Sequence, residues 1–288
     1  MEWHDLRDPN DPLLDQLAER YQLHPLHIED CRHRGQNAKV EEGGHYIFVV
    51  LKPVLMEPDG TLTFSDLDLF LGSDFLITVQ ESECEPVRKI LDQFHASAAS
   101  LRPDQLFYRV MDAVVDAYLP ALDHFDELSD TLDVEVLERP TPEALEKIFR
   151  ARRSLIELRR ILANTRDVAG HLQRTDSDLI ARSLWPFLRD IYDHVARNLD
   201  TVEVQRDLLS GAMEIYLSSQ AQRTNQVMKV LTVLGTIALP ALVISGFYGM
   251  NLQDLPGANS PHGAWLAAAL MAACTLVLLG ILRFFRWL

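Results

Sequence analysis

The sequence predicts an α+β domain followed by long helices and a two-helix transmembrane hairpin. Short β-branched and aromatic segments joined by turns lie only in the first hundred residues, and helical periodicity dominates from residue 103 onward. Two uncharged runs of 19 residues, 230–248 and 264–282, lie near the end of the chain. At 1.5 Å per residue, a helix of that length spans about 29 Å, which matches the hydrocarbon thickness of a bilayer.

Residues 1–100 are predicted to form an N-terminal α/β domain with a mainly antiparallel sheet. Proline-containing turns, β-branched runs and aromatic residues delimit its elements. These elements are two short helices, at 11–21 and 24–31, and three strands, at 45–51, 67–71 and 75–79. The first strand is apolar at nearly every position, which indicates burial on both faces. Because the turns between the strands are short, antiparallel pairing is favoured over parallel crossovers.

Residues 101–185 are predicted to form a helical hairpin. A helical pattern covers residues 103–138, and we expect Pro120 to bend that helix. The sequence Arg139-Pro140-Thr141-Pro142 interrupts the pattern. Thr141 with Pro142 is a typical helix start, so a second helix is predicted to run to about residue 172.

One long helix is predicted for residues 186–249, which combine a stalk with the first membrane span. Apolar residues recur there every seven positions, a pattern typical of a seam that packs on a partner helix. They are Leu188, Val195, Val202, Leu209 and Tyr216. A continuous helix through this region would be about 94 Å long.

Residues 250–263 form the predicted short outer loop, and residues 264–288 contain the second span and a basic tail. The loop contains no Lys or Arg, whereas basic residues flank the other ends of both spans: Arg223, Lys229, Arg283 and Arg286. Basic flanks stay on the cytoplasmic side. The chain is therefore predicted to be a multi-pass protein of the cell (inner) membrane, in contact with the lipid bilayer, with a cytoplasmic N-terminal domain and both termini cytoplasmic. The alternative is that both runs are buried helices of a large soluble core.

Outside the hairpin the chain is strongly acidic. Its first 227 residues contain 41 Asp and Glu against 24 Lys and Arg. This balance argues against nucleic acid as a partner, because phosphate binding requires basic residues. An acidic surface attracts cations, although solubility also explains it. We find no phosphate-cradling glycine loop, no catalytic constellation and no paired cysteine spacing, so neither an organic cofactor, an enzyme nor a disulfide framework is expected.

The first predicted span ends in Tyr248-Gly249-Met250-Asn251, and a second span follows directly. In this arrangement the chain resembles the CorA family of divalent-cation channels. The likeness extends upstream through Arg189-Asp190-Ile191-Tyr192-Asp193-His194 and Tyr216-Leu217-Ser218-Ser219, and covers nearly the whole chain. One hairpin cannot enclose a pore, so copies must surround an axis. The resemblance implies five copies, in a homopentameric, funnel-shaped channel.

One face of the first span is predicted to line the pore of this homo-oligomer. Its residues are spaced by three or four and include no carboxylate: Asn225, Met228, Leu231, Gly235, Leu239, Leu242 and Gly246. The matching positions line the pore in the family, which often has a polar residue where this chain has Leu242. Met228 and Leu231 would form an apolar collar that closes by expelling water. The alternative is that the small residues only permit close helix packing.

Gly249, Met250 and Asn251 are the predicted selectivity filter. Mg²⁺ gives up its water reluctantly, so neutral oxygens can hold the hydrated ion through outer-shell hydrogen bonds. Asn251 supplies a side-chain carbonyl, and Gly249 lets its backbone carbonyl come close. Copies of these groups would form a ring of dipoles at the outer mouth.

The resemblance also implies a regulatory Mg²⁺ ion that is bound between neighbouring subunits and holds the channel closed. The matching positions are Asp30 on one subunit and Asp190 on the next, with Asp112 near a second site. Facing carboxylates repel each other unless a cation lies between them. Mg²⁺ is thus expected as both the transported and the regulatory ion.

The expected function is transport of hydrated divalent cations, chiefly Mg²⁺ and also Co²⁺ or Ni²⁺. One alternative is a zinc transporter of the same superfamily, against which Met250 weighs slightly. Another is a membrane-anchored sensor or scaffold that conducts nothing. The Gly-Met-Asn sequence argues against that role, because an anchor needs no such ring.

Overall fold

A five-stranded sheet lies at the centre of the N-terminal part of the protein. The structure, a computed structural model, describes residues 1–57, 60–96, 101–250 and 262–285. Its strands are β1 Glu2–Leu6, β2 Lys39–Glu42, β3 Tyr46–Leu51, β4 Val54–Met56, β5 Leu62–Phe64, β6 Leu67–Gly72 and β7 Phe75–Gln80. Its helices are α1 Pro12–Arg20, α2 Pro25–Arg32, α3 Glu85–Ala96, α4 Pro103–Asp116, α5 Leu119–Glu138, α6 Pro142–Arg174, α7 Trp185–Tyr248 and α8 Gly263–Phe284.

The chain divides into two compact units, and the boundary falls within α7, between Ile215 and Tyr216. The first unit contains both sheets, the helices α1 to α6 and the first part of α7. The second contains the rest of α7 and α8. The two units are described separately below.

The large sheet has the strand order β1-β7-β6-β3-β2. The pairs β3–β6 and β6–β7 are antiparallel, which confirms the predicted pairing. Strand β2, which the pattern did not predict, is antiparallel to β3. The edge strand β1 is parallel to β7. Its sequence, Glu-Trp-His-Asp-Leu, lacks an apolar run, so the pattern did not predict it. The small β4–β5 hairpin and helix α3 were not predicted either.

Both faces of the large sheet are covered. Every residue of β3, β6 and β7 is buried. Phe48, Phe70 and Ile77 form a core with Leu14 of α1 and Ile28 of α2, and α4 packs on β6 and β7. Helices α1 and α2 begin close to their predicted starts. The side chains of Asp11 and His24 cap them by accepting hydrogen bonds from the Leu13 and Leu26 N–H groups, and proline follows each capping residue.

The expected single helix bent at Pro120 is wrong, because two helices occupy this region. Helix α4 ends at Asp116 and α5 begins at Leu119. Tyr118 lies in the break, fully buried, and its hydroxyl donates a hydrogen bond to the Lys52 carbonyl at 2.7 Å. Pro120 thereby occupies the first turn of α5, where its missing N–H costs nothing.

Helices α5 and α6 pack on each other, as the predicted hairpin requires. The hydroxyl of Thr141 caps α6 by accepting a hydrogen bond from the Ala144 N–H at 3.2 Å. Across the pair, the Lys147 ammonium lies 2.9 Å from the Glu135 carboxylate. The apolar residues Ile148, Leu155, Leu158 and Leu162 of α6 are buried, and Leu145 is half-buried.

The first part of α7 packs on α5 and α6. The heptad residues Leu188, Val195, Val202 and Leu209 are all buried. The side chain of Gln205 donates a hydrogen bond to the Leu122 carbonyl at 2.8 Å. Arg159 of α6 forms an ion pair with Glu203.

A buried polar cluster lies under α2, on the sheet face that also carries Val50 and Phe70. Lys52 and Asp66 form a buried ion pair, and Asp66 also accepts from the Gly35 and Gln36 N–H groups at 2.8 and 3.1 Å. Asp68 is 1% exposed, and its Oδ1 has no hydrogen-bond partner among the described residues. Burial, and next the Asp66 charge, raise the pKa of Asp68 to about 7.

We predict that Asp68 makes folding stability pH-dependent. Its folded-state pKa is raised, so the folded protein holds this proton more tightly between about pH 4 and 7. This contribution to the free energy of unfolding is fully present at low pH and is lost as the pH rises through this range. The loss is on the order of 4 kcal/mol. Asp68→Asn should therefore gain thermal stability relative to the parent protein as the pH rises from 4 to 8.

The matched control is Asp74→Asn, which changes an exposed aspartate in the β6–β7 turn. The measurement is the thermal unfolding midpoint of each purified full-length protein across that pH range. An Asp68→Asn difference that stays constant with pH would contradict the prediction.

Candidate functional site

Two helices of the described chain are long and apolar enough to cross a membrane. They are α8 and the helix that ends at Tyr248. In the most apolar 18-residue segment of each helix, only 6% of α8 and 11% of the helix that ends at Tyr248 is buried within the chain. Core helices of soluble proteins are mostly buried, so these segments need another apolar environment, which a bilayer supplies.

The seven predicted pore residues all lie on α7 and are all exposed in the single chain. Leu242 is 70% exposed and Leu231 is 62% exposed, and both belong to a run of exposed apolar side chains on α7. Added Cβ atoms at Gly235 and Gly246 would meet nothing within 4 Å. The described residues of the chain therefore give no packing reason for these two glycines.

Helix α8 packs beside a different face of the same segment. Pro240 and Ile244 are buried there, and Ala267 of α8 is buried as well. Val243 and Leu239 line a groove together with Cys274 and Leu278 of α8. Leu239 thus lies at the edge of the predicted stripe, next to α8, while the other six stripe residues do not line this groove.

Hydroxyl side chains within the two apolar segments bond to their own helix backbone. Thr232 and Thr236 donate to the carbonyls of Met228 and Thr232, each at 2.8 Å. Ser245 donates to the Leu242 carbonyl at 3.2 Å, and Thr275 of α8 donates to Met271 at 2.9 Å. These contacts satisfy polar groups without water, as an apolar surrounding requires.

The described part of the predicted filter is the C-terminal end of α7. The Gly249 N–H donates to the Ser245 carbonyl at 2.8 Å, and the Met250 N–H donates to Phe247 at 3.4 Å. A Cβ at Gly249 would lie 3.0 Å from the Ser245 carbonyl oxygen. Glycine therefore allows the backbone to pass close to this carbonyl where the helix ends. Asn251 lies outside the described residues.

A group of potential metal ligands lies where α4 meets the start of α7. Asp112, Asp116 and His194 offer ligand atoms that all lie within 4.8 Å of one another. His194 is also 3.5 Å from the Asp190 carboxylate, one helical turn earlier. The structure therefore brings Asp112 and Asp190, two of the three predicted regulatory residues, to one surface.

The electrostatics of this group favour a bound cation. Burial, and next the Asp116 charge, raise the pKa of Asp112, although the Tyr108 hydroxyl opposes this with a hydrogen bond. Burial, and next the Asp112 charge, raise the pKa of Tyr108 to about 12. Like charges that disfavour each other's ionisation are relieved by a divalent cation. The carboxylates suit hydrated Mg²⁺, and the imidazole also suits Co²⁺ or Ni²⁺.

Asp30, the third predicted regulatory residue, is held elsewhere in the chain. It lies in α2, and its Oδ2 is 2.7 Å from the Lys39 ammonium of β2. Its side chain is 25% exposed. A carboxylate oxygen that is accessible to solvent is a suitable Mg²⁺ ligand once the Lys39 ammonium has moved away from it.

Sequence reasoning missed three residues of these two groups: Asp116, His194 and Lys39. The first two could have been found from spacing, since Asp112 with Asp116 and Asp190 with His194 are each four apart on a helix. The contact of Lys39 with Asp30 had no such signal, because it joins a strand to a helix.

Comparison with known proteins identifies the family. A family model described as "CorA-like Mg2+ transporter protein" matches residues 1–285. The cobalt/magnesium transport protein CorA of Thermotoga maritima is 34% identical over 280 residues, which cover 96% of this chain and 80% of the relative. The protein with the same name from Methanocaldococcus jannaschii is 26% identical over 294 residues, covering 99% and 91%.

The fold agrees with a solved relative over the same length. The complete structure of the CorA magnesium transporter from Methanocaldococcus jannaschii superposes with a TM-score of 0.87 at 25% identity. The match covers 99% of this chain and 91% of that one. The long helix α7 and the apolar helix α8 that follows it are therefore features of a shared architecture. The chain belongs to the CorA-like Mg²⁺ transporter family.

Proposed function

We propose that the protein transports hydrated divalent cations, chiefly Mg²⁺, across the cell membrane through a pore in a homopentamer. The observation that carries this proposal is the exposed face of α7, which contains no carboxylate and leads to Gly249-Met250-Asn251. A single hairpin cannot enclose a path for ions, so five copies of α7 would surround it. Both termini and the acidic N-terminal part face the cytoplasm, and the loop 250–263 faces outward.

The proposed pore holds the ion with its water attached. Mg²⁺ requires near-ideal octahedral coordination and dehydrates slowly, so direct protein ligands would retain it. Neutral side-chain and backbone oxygens at Asn251 and Gly249 instead accept hydrogen bonds from its water shell. Past this ring, apolar side chains such as Leu242 and Leu231 bind the hydrated ion weakly, which allows it to leave.

The proposed gate is the apolar collar of Met228 and Leu231, whose side chains are 55% and 62% exposed in the single chain. In a ring of copies these side chains face one another and exclude water when the ring is narrow. Cytoplasmic Mg²⁺ bound by Asp30 of one copy and Asp190 of the next would stabilise the narrow state. Its loss leaves facing carboxylates that push the copies apart.

We predict that Asn251→Ala will reduce Mg²⁺ uptake at least tenfold, because it removes the side-chain carbonyl that accepts from the hydration shell. Asn251→Asp should bind cations more tightly and release them more slowly. The measurement is uptake of Mg²⁺, Co²⁺ and Zn²⁺ into proteoliposomes, and Asn259→Ala in the same loop is the matched control.

Three results would count against this proposal. Uptake unchanged by Asn251→Ala contradicts the filter. A preference for Zn²⁺ over Mg²⁺ in the parent protein supports the zinc-transporter alternative. No uptake of any ion supports a sensor or scaffold.

The proposed regulation predicts that Asp30→Ala combined with Asp190→Ala will leave uptake active at millimolar internal Mg²⁺. The parent protein should close under that condition, because Mg²⁺ bridges the two carboxylates. A double variant of Asp74→Ala and Asp207→Ala removes the same charge from exposed positions and should close normally. Normal closure of the Asp30 and Asp190 variant would refute the regulatory role.

A further inference from the structure

The Asp30 carboxylate already holds a cation from its own chain. Lys39, the first residue of β2, places its ammonium 2.7 Å from Asp30 Oδ2 and 2.6 Å from Glu41 Oε1. The same ammonium lies 5.7 Å from the centre of the Phe48 ring. The side chains of Lys39 and Asp30 are 30% and 25% exposed, so small ions in solution can reach both.

The second partner of Lys39 is itself fixed in place. Glu41 Oε2 lies 3.1 Å from His27 Nε2, and the other ring nitrogen of His27 lies 2.7 Å from the Tyr46 hydroxyl. The His27 ring is buried and stacks on Phe48, with centroids 4.5 Å apart. Glu41 is therefore anchored to the core, and it keeps the Lys39 ammonium close to Asp30 whether or not Asp30 is free.

From this arrangement we propose that Lys39 is an internal competitor that sets how much Mg²⁺ is needed to occupy Asp30. A divalent cation that binds the Asp30 carboxylate must displace the ammonium, since both need the same oxygen. Displacement leaves Lys39 paired with Glu41, so no buried charge is left without a partner. The exchange is thus reversible at low cost. This inference rests on the proposed role of Asp30 as a ligand of regulatory Mg²⁺.

The competitor role and a merely structural role of Lys39 predict opposite changes in Mg²⁺ affinity when Lys39 is replaced. Lys39→Met keeps the aliphatic stem over Phe48 and removes the competing charge. The Mg²⁺ concentration at half-saturation should then fall about three- to fivefold, as expected from loss of a partly exposed ion pair. If Lys39 only held Asp30 in position, its removal would raise that concentration.

The test measures Mg²⁺ binding without transport. The thermal unfolding midpoint of the full-length protein in detergent is recorded against Mg²⁺ concentration, because an ion that binds the folded state raises it. The variants are Lys39→Met, Lys39→Gln and Asp30→Ala. Lys89→Met is the matched control, since Lys89 forms an ion pair with Glu85 on α3 at a similar distance, 2.9 Å. Midpoints without Mg²⁺ show whether each variant is folded.

Each outcome decides between the two proposals. A lower half-saturation for both Lys39 variants, with weakened binding for Asp30→Ala and no change for Lys89→Met, supports the competitor role. An unchanged or higher value for the Lys39 variants, with Asp30→Ala still weakened, overturns the competitor role and leaves the proposed regulation intact. Unchanged binding by Asp30→Ala removes Asp30 as a ligand, and the role of Lys39 with it.

Discussion

The surfaces of α7 follow from one constraint, which is that polar groups removed from water must find partners close by. Within the apolar segment, each described Thr or Ser hydroxyl donates a hydrogen bond to a backbone carbonyl about one turn earlier, as Thr232 and Thr236 do. None of these hydroxyls is therefore left without a partner in an apolar surrounding. The helix can then expose large apolar side chains almost all round. Among the described residues, the stripe from Asn225 to Gly246 is exposed in the single chain, and of its seven residues Leu239 alone borders the groove with α8.

The first unit applies the same constraint to charge. Buried or half-buried carboxylates are found beside a cation, as with Asp66 and Lys52, or carry a raised pKa, as with Asp68. The cluster of Asp112, Asp116 and His194 is less complete, because no Lys or Arg of the described residues forms an ion pair with its carboxylates. The regulation proposed above would use such a surface, because a cation relieves the repulsion between gathered carboxylates.

Much of the fold was predictable from the sequence, because the signals are periodic. The charge-free runs predicted the hairpin, and the heptad from Leu188 predicted the long helix. The β-branched and aromatic runs predicted the three central strands, and the short turns between them predicted antiparallel pairing. Strand β1 was missed because its pairing is with β7, more than 70 residues away, and its own residues carry no pattern. The break at Tyr118 was missed because a buried tyrosine hydroxyl, a tertiary contact, decides where α4 ends.

The candidate sites divide in the same way. Residues on one helix face, such as the α7 stripe, follow from spacing. Asp30, Asp112 and Asp190 came only from family resemblance, since nothing in spacing separates them from 42 acids. Lys39 came only from the structure, because no sequence pattern places a strand residue against a helix carboxylate.

The central claim is that the stripe on α7 faces water inside an assembly of copies. It is tested most directly by the reactivity of one introduced cysteine at a time with a membrane-impermeant thiol reagent, in proteoliposomes of a Cys274→Ala protein whose two other cysteines, Cys31 and Cys84, are buried. Leu242→Cys and Gly235→Cys lie on the stripe, and their neighbours Ala241→Cys and Leu234→Cys lie off it. The account predicts that the first pair reacts and blocks Mg²⁺ uptake while the second pair does not. Equal reactivity of the two pairs, or none in either, would contradict it.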